Sequence, residues 1–204
     1  MSQVWVMRHG QTQWNCQRRI QGQLDSPLTE VAITELEKMV LPNLTGGTIL
    51  CSDLGRSLKT AQLVAHHAGG QVTISPLLRE RGFGVLQGEV IDQNPHLHDQ
   101  WQAYHKRYQQ PSLNIVGCES GYAFTQRLIA ARTLIGNIQR NNKPLLLIVH
   151  GEWWLAFESL LHGRPFWQVG SEMVDNSRLF SLPRDGLVCD QSGHLAFSFD
   201  KRRA

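Results

Sequence analysis

The sequence predicts an α/β fold with a largely parallel sheet covered on both faces, and two observations carry that prediction. Short apolar runs suited to buried strands alternate with amphipathic helical patterns. Polar clusters close the main runs, as expected where strands end at a ligand-facing rim. The first run, Val4-Trp5-Val6-Met7, ends in Arg8-His9-Gly10. A helix is predicted over residues 29–40, with Val31, Leu36, Met39 and Val40 at helical spacing and Pro42 ending it. The second run, residues 48–51, leads into Ser52-Asp53-Leu54-Gly55-Arg56 and a helix over 54–67, stopped by Gly69-Gly70. Residues 72–74 make a weaker strand. The stretch 82–111 is rich in Gly, His and Gln and is expected outside the sheet, with a helix over 100–109. A long helix follows over 120–139, then a strand over 145–149. His150-Gly151 opens the next helix, 153–161, which ends at Gly163 and Pro165. Residues 187–199, centred on Ser192-Gly193, read as a hairpin, which makes the sheet mixed.

With 204 residues, 41% of them hydrophobic, the chain suits a single domain, with 82–117 as an insertion over the site. The net charge is +3 and the basic residues are dispersed, apart from Lys201-Arg202-Arg203. That distribution argues against nucleic acid as a partner and suits small anionic molecules. The sequence has no apolar stretch of signal-peptide or membrane-spanning length, so a cytoplasmic protein without a membrane partner is expected. Cys16, Cys51, Cys118 and Cys189 are widely spaced, as reduced thiols in that compartment would be. A monomer or homodimer is expected.

The polar clusters converge. Three strand ends send Arg8/His9, Arg56 and His150 to one rim, and two of the clusters open helices, whose free amides favour an anion. Arginine offers planar donors, and a neutral histidine offers a nucleophile or base, as phosphoryl transfer through histidine requires. Each residue has a plainer role open to it. Ser52 and Asp53 suit helix caps, Arg56 a solvated first-turn charge, and His150 a satisfied core histidine. Glu80, between Arg79 and Arg81, is the one carboxylate placed to give a leaving alkoxide its proton. Gly82, Gly84 and Gly88 do not match a dinucleotide fingerprint. The pairs His66-His67 and His96/His98 lack a metal-site context, and no metal or cofactor is expected.

The run Arg8-His9-Gly10-Gln11-Thr12-Gln13-Trp14-Asn15 resembles the signature of the histidine phosphatase superfamily, the phosphoglycerate mutase-like proteins. Ser52-Asp53-Leu54-Gly55-Arg56 with Thr60-Ala61 is similar to its second motif, and Leu78-Arg79-Glu80 with Phe83-Gly84 and Gly88 to its acid-bearing one. Glu119-Ser120 with Arg127, and Ile148-Val149-His150-Gly151, complete five motifs in order. The resemblance implies a three-layer αβα sandwich and a metal-free phosphohistidine mechanism. It implies His9 as nucleophile, and Arg8, Arg56 and His150 as a phosphate clamp assisted by Asn15 and Gly151. Glu80 would be the proton donor that later activates water. Three departures stand out: Cys118 replaces a glycine before Glu119-Ser120, Ala32 replaces the glycine of a Leu-Thr-x-x-Gly segment, and Glu152-Trp153-Trp154 follows His150-Gly151.

The leading function is a phosphatase acting on a small phosphorylated metabolite, with phosphoglycerate mutase second and an inactive phosphate-binding module third. Glu152 is expected either to favour its helix start or to face the pocket mouth and repel a second anionic group. Trp153 or Trp154 would then form an apolar wall.

Overall fold

The computed structural model describes residues 3–182 of the chain. In chain order the elements are β1 (Val4–Arg8), α1 (Gln13–Cys16), α2 (Glu30–Lys38), β2 (Thr48–Cys51), α3 (Gly55–Ala68), β3 (Gln71–Ile74), α4 (His98–His105), α5 (Gly121–Gln139), β4 (Leu145–Val149), α6 (Gly151–Leu161) and β5 (Leu179–Leu182). The sheet order is β3-β2-β4-β1-β5. All pairs are parallel except β1 with β5.

The two-residue repeat of β4 sorts the core into layers. Leu145, Leu147 and Val149 pack with Phe124 and Leu128 of α5 and with Trp153 and Phe157 of α6. Leu146 and Ile148 face the other way, onto Leu36 of α2 and Ala61 and Val64 of α3. Every β4 side chain is buried, which is why the run is apolar without alternation. Truncating one of these leucines to alanine costs about 2–5 kcal/mol. A third, smaller cluster holds Ile20, Phe83, Leu86, Trp101, Tyr104 and Ile115 together, within and beside the stretch between β3 and α5.

The helices begin where short polar side chains accept the first free amides. Thr29 accepts from the Ala32 amide and Ser120 from the Ala123 amide. Helix α2 ends at Lys38, before Pro42, because Met39 is already extended. Gly69, at φ +73°, ends α3.

The structure bears out the mixed sheet, moves one helix and adds another. The sheet is mixed through β5, a four-residue edge strand with no apolar run to announce it; the expected hairpin at 187–199 lies outside the described residues. Helix α4 starts earlier and stops earlier than 100–109, because Asn94 caps a turn at Pro95–Leu97 that runs straight into it. The short helix α1 was unforeseen and depends on a reciprocal cap between Thr12 and Asn15.

Candidate active site

Strands β2, β4 and β1 are adjacent at the centre of the sheet, and their carboxyl ends open on one side. The His9 amide donates to the Val149 carbonyl at 3.1 Å, extending the ladder one residue past β1 and fixing His9 beside the end of β4. Its Nδ1 lies 2.8 Å from the Gly10 carbonyl oxygen. A carbonyl only accepts, so Nδ1 carries the proton and the lone pair sits on Nε2. Burial, with the charges of Arg56 and Arg8, holds the ring's pKa well below the usual histidine range, so it is neutral.

His150 is fully buried, with its ring centroid 5.1 Å from that of His9. Its Nε2 is 2.8 Å from Ser52 Oγ. Ser52 Oγ accepts from the Leu54 amide at 3.3 Å, so its own hydrogen can turn to Nε2, putting the ring proton on Nδ1. That Nδ1 has no partner. Burial first, then Arg56, His9 and Arg8, keep this ring uncharged as well.

Arg56 leaves α3 for the interior. Its side chain is 1% exposed, so it is no surface charge. Nη1 donates to the Leu24 carbonyl at 2.7 Å and to Asp25 Oδ1 at 3.1 Å, and Nη2 donates to the Gly22 carbonyl at 2.7 Å. Nε has no partner. Arg8 donates from Nη1 to the Val174 carbonyl at 2.8 Å, and its Nε is likewise unpartnered. Burial presses both guanidiniums below their ordinary pKa against the pull of Glu80, though arginine at this depth stays charged. Three buried donors at one rim therefore lack acceptors: Arg8 Nε, Arg56 Nε and His150 Nδ1. Each costs about 1–3 kcal/mol until an acceptor arrives, which an anion with several oxygens provides.

Glu80 is buried, and its carboxylate is held entirely by main-chain amides. Oε1 accepts from Trp153 at 2.8 Å and Arg81 at 2.9 Å, and Oε2 accepts from Glu152 at 3.1 Å. Burial, then the charge of Glu152, raises its pKa; the Arg81 amide, Arg56 and the Trp153 amide oppose this. The Glu80 segment is braced from α5. Arg127 donates to the carbonyls of Leu77, Arg79 and Glu80 and binds Glu119 at 2.7 and 2.8 Å. Cys118, standing where a glycine would be usual, donates its thiol to the Gly82 carbonyl at 3.1 Å, so the departure adds a contact.

The remaining expected residues have definite places. Asn15 lines the pocket, but its Oδ1 accepts from the Thr12 amide and hydroxyl, which leaves the amide nitrogen for a ligand. Gly151 begins α6, buried beside Met173. Ser52 and Asp53 do not cap α3: Leu54 holds that position, Ser52 serves His150, and Asp53 pairs with Arg79. Trp153 and Trp154 are core residues, 0% and 2% exposed, so neither forms the expected pocket wall. Glu152 does not stand at the mouth as a bare charge; Arg107 Nε at 2.8 Å and the Tyr108 hydroxyl bind its carboxylate. Nor is Glu152 among the residues that line the pocket, so it does not meet a second anionic group of a ligand there.

The pocket has a volume of about 270 Å³. Arg8, His9, Arg56 and Glu80 line it, and its apolar walls come from Trp14, Ile20, Phe83, Ile91, Tyr104 and Met173. Those walls were missed as a group, although Trp14 and Phe83 stand inside motifs already picked out. Among the described residues no three His, Cys, Asp or Glu side chains are grouped to hold a metal ion. No described helix is long and apolar enough to cross a membrane.

A buried arginine-histidine rim at the carboxyl edge of a mixed sheet, with one amide-held glutamate, defines a phosphate-directed α/β protein. The family model of the histidine phosphatase superfamily (branch 1) matches residues 4–186, and the chain belongs to that superfamily. A relative from Salmonella paratyphi A, named "Probable phosphoglycerate mutase GpmB", is 36% identical over 82% of this chain and 78% of its own. The mycobacterial glucosyl-3-phosphoglycerate phosphatase, in a structure with VO3, is 25% identical over 90% of this chain and 93% of that one, with TM-score 0.70. The Bacillus stearothermophilus protein YhfR superimposes with TM-score 0.75 over 92% and 93% of the two chains at 21% identity, a likeness of fold.

Proposed function

We propose that this chain hydrolyses small phosphate monoesters through a phosphohistidine formed on His9, with a phosphorylated metabolite as its ligand. The observation that carries this reading is the commitment of His9 Nδ1 to the Gly10 carbonyl, which leaves a neutral Nε2 lone pair beside three unpartnered donors. Nε2 attacks phosphorus while the ester P–O bond breaks, and Glu80 gives its proton to the departing alkoxide. Arg8, Arg56 and His150, assisted by Asn15, take up charge on the equatorial oxygens. Water then attacks the phosphohistidine as Glu80 removes its proton, the P–N bond breaks, and the electron pair returns to Nε2. The phosphatase named among the structural neighbours supports hydrolysis.

A second reading, transfer between phosphoglycerate positions, is favoured by the name of the 36% identical relative. It uses the same residues and differs in keeping the phosphoryl group on His9 until a second acceptor arrives. Assaying the purified protein against a panel of phosphorylated metabolites, with 2- and 3-phosphoglycerate interconversion alongside, separates the two. Phosphate release with no interconversion supports the phosphatase; interconversion faster than release supports the mutase.

A further inference from the structure

Glu152 is a buried acid with a neighbouring charge of its own kind. Its side chain is 10% exposed, and its amide donates to Glu80 Oε2 at 3.1 Å. Two residues just beyond α4 reach across to its carboxylate: Arg107 Nε at 2.8 Å and the Tyr108 hydroxyl, both on Oε1. Arg107 lies over the rings of Tyr104 and Tyr108, at 4.0 and 4.3 Å from their centroids, and donates to the Tyr104 carbonyl at 3.0 Å. Tyr104 is itself a pocket wall. Substrate-facing wall, cation, Glu152 and Glu80 are thus joined by direct contacts.

Resting on the phosphohistidine reading, we propose that Glu152 is a positioning residue for Glu80. Locked by Arg107 and Tyr108, it sets a fixed negative charge beside the acid. The groups facing Glu80 are known from each side. Arg8 comes from β1, Arg56 from α3, Tyr104 from α4, and Arg127 of α5 binds its main-chain carbonyl. Arg8 and Arg56 favour the carboxylate and Tyr104 stays neutral, its pKa pushed up to above the ordinary tyrosine value. Glu152 is the anion among them, and burial and Glu152 together are what raise Glu80. In the other direction, Arg107 and Tyr108 stabilise the Glu152 charge that would otherwise be costly at this depth. A fixed anion lets Glu80 keep its proton in spite of two nearby arginines, which a donor to an alkoxide requires.

The test is the pH dependence of kcat/KM for glycerol 3-phosphate in the full chain, comparing wild type with Glu152→Gln, Glu152→Asp and Arg107→Gln. The substrate's own ionisation is common to all four. Activity falls at high pH as Glu80 loses its proton, and in Glu152→Gln this limb should move to lower pH by about half a unit or more. Glu152→Asp keeps the charge and should restore most of the wild-type limb. A packing role would rank the variants the other way, because Gln preserves shape and Asp does not. Arg107→Gln removes the cation that keeps Glu152 charged, so its limb should also move to lower pH, and it decides the matter alone if Glu152→Gln fails to fold. A folded, active Glu152→Gln with an unmoved limb overturns the proposal, as does an Arg107→Gln limb that is unmoved or moves up. Failure of the phosphohistidine reading would look different: rapid quenching of wild type with labelled substrate would trap no acid-labile phosphoprotein.

Discussion

The rings of His9 and His150 lie 5.1 Å apart and 54° from coplanar, and each has committed the opposite nitrogen. His9 gives Nδ1 to a carbonyl, whereas His150 gives Nε2 to a serine hydroxyl. One ring is therefore left with a free lone pair, and the other with a free N–H. Two identical side chains in one buried site are thus given opposite free groups by their hydrogen-bond partners. On the proposed mechanism, His9→Ala should lower kcat/KM by about 10³-fold or more. Rapid quenching with labelled substrate should trap an acid-labile phosphoprotein in wild type and none in the variant. Hydrolysis undiminished in His9→Ala would end the mechanism.

The same two rings set a pH dependence of stability. Both are held neutral by burial, so their pKa values in the folded chain lie well below the unfolded value of about 6.5. Below that pH the unfolded chain binds more protons than the folded one, so stability falls as pH falls. Urea unfolding at stepwise lower pH should show wild type weakening from about pH 6.5 downward. His150→Asn should weaken less steeply over the same range. Parallel pH slopes for the two proteins would count against the buried neutral state.

Arg56 should be needed for its shape. Its two terminal nitrogens already serve the Gly22 and Leu24 carbonyls and Asp25, which fixes the plane of the guanidinium and leaves Nε for a ligand. A lysine has the charge but cannot satisfy three acceptors and a phosphoryl oxygen at once. Arg56→Lys should lose about 100-fold in kcat/KM and also lower Tm. Near-normal efficiency would show that charge alone suffices at this position.

The Arg127–Glu119 brace should act on the acid without touching substrate. Arg127 binds three carbonyls of the Glu80 segment, those of Leu77, Arg79 and Glu80. Arg127→Met leaves those carbonyls and Glu119 without their cation, a change that costs about 1–3 kcal/mol for this partly buried pair. Thermal unfolding should show that loss, and kcat for an alkyl phosphate should fall more than KM rises. A normal kcat in the folded variant would mean that Glu80 needs no support from α5.

The sequence disclosed the chemical half of this site more fully than its walls. Three apolar runs ended in Arg8-His9, Ser52-Asp53 and His150, and a parallel sheet has only one carboxyl edge, so their meeting followed from topology. Strand bounds at 48–51 and 145–149 agreed to the residue because both runs are buried on at least one face and flanked by polar residues. The partner of each polar group was not legible. Ser52 could equally well have capped α3, and its choice of His150 depends on a contact 98 positions away in sequence. Glu152 does stand in the first turn of α6, as one of its two expected roles required, but its partners were hidden for the same reason, because Arg107 and Tyr108 reach it from a loop whose path no local pattern fixes. Strand β5 escaped notice because four edge residues, three half-buried and one exposed, are too few to show periodicity.

Glu80 joins activity to instability, and one substitution should separate them. Its carboxyl is buried beside Glu152, and its pKa in the folded chain is raised above the ordinary glutamate value of about 4.3. Between that value and the raised one, the folded chain binds more protons than the unfolded chain, so Glu80 lowers stability as pH rises through the window. Glu80→Gln keeps the shape and carries no charge; its carboxamide oxygen can still accept from the Trp153 and Arg81 amides, while its NH2 takes the place of Oε2 and gives up only the bond from the Glu152 amide. The variant should therefore have a higher Tm than wild type near neutral pH, with the gain vanishing below about pH 4.3. It should lose activity in proportion to the basicity of the leaving group. An alkoxide needs a proton as the P–O bond breaks, whereas p-nitrophenolate departs with little help. Rapid-quench measurement of the phosphorylation step should show a loss of about 100-fold or more with glycerol 3-phosphate and far less with p-nitrophenyl phosphate. That step is the one to measure, because steady-state turnover also includes water activation by the same carboxylate. Equal losses for both substrates would remove Glu80 as the acid, and a lower Tm at neutral pH would show that its charge is well accommodated where it stands.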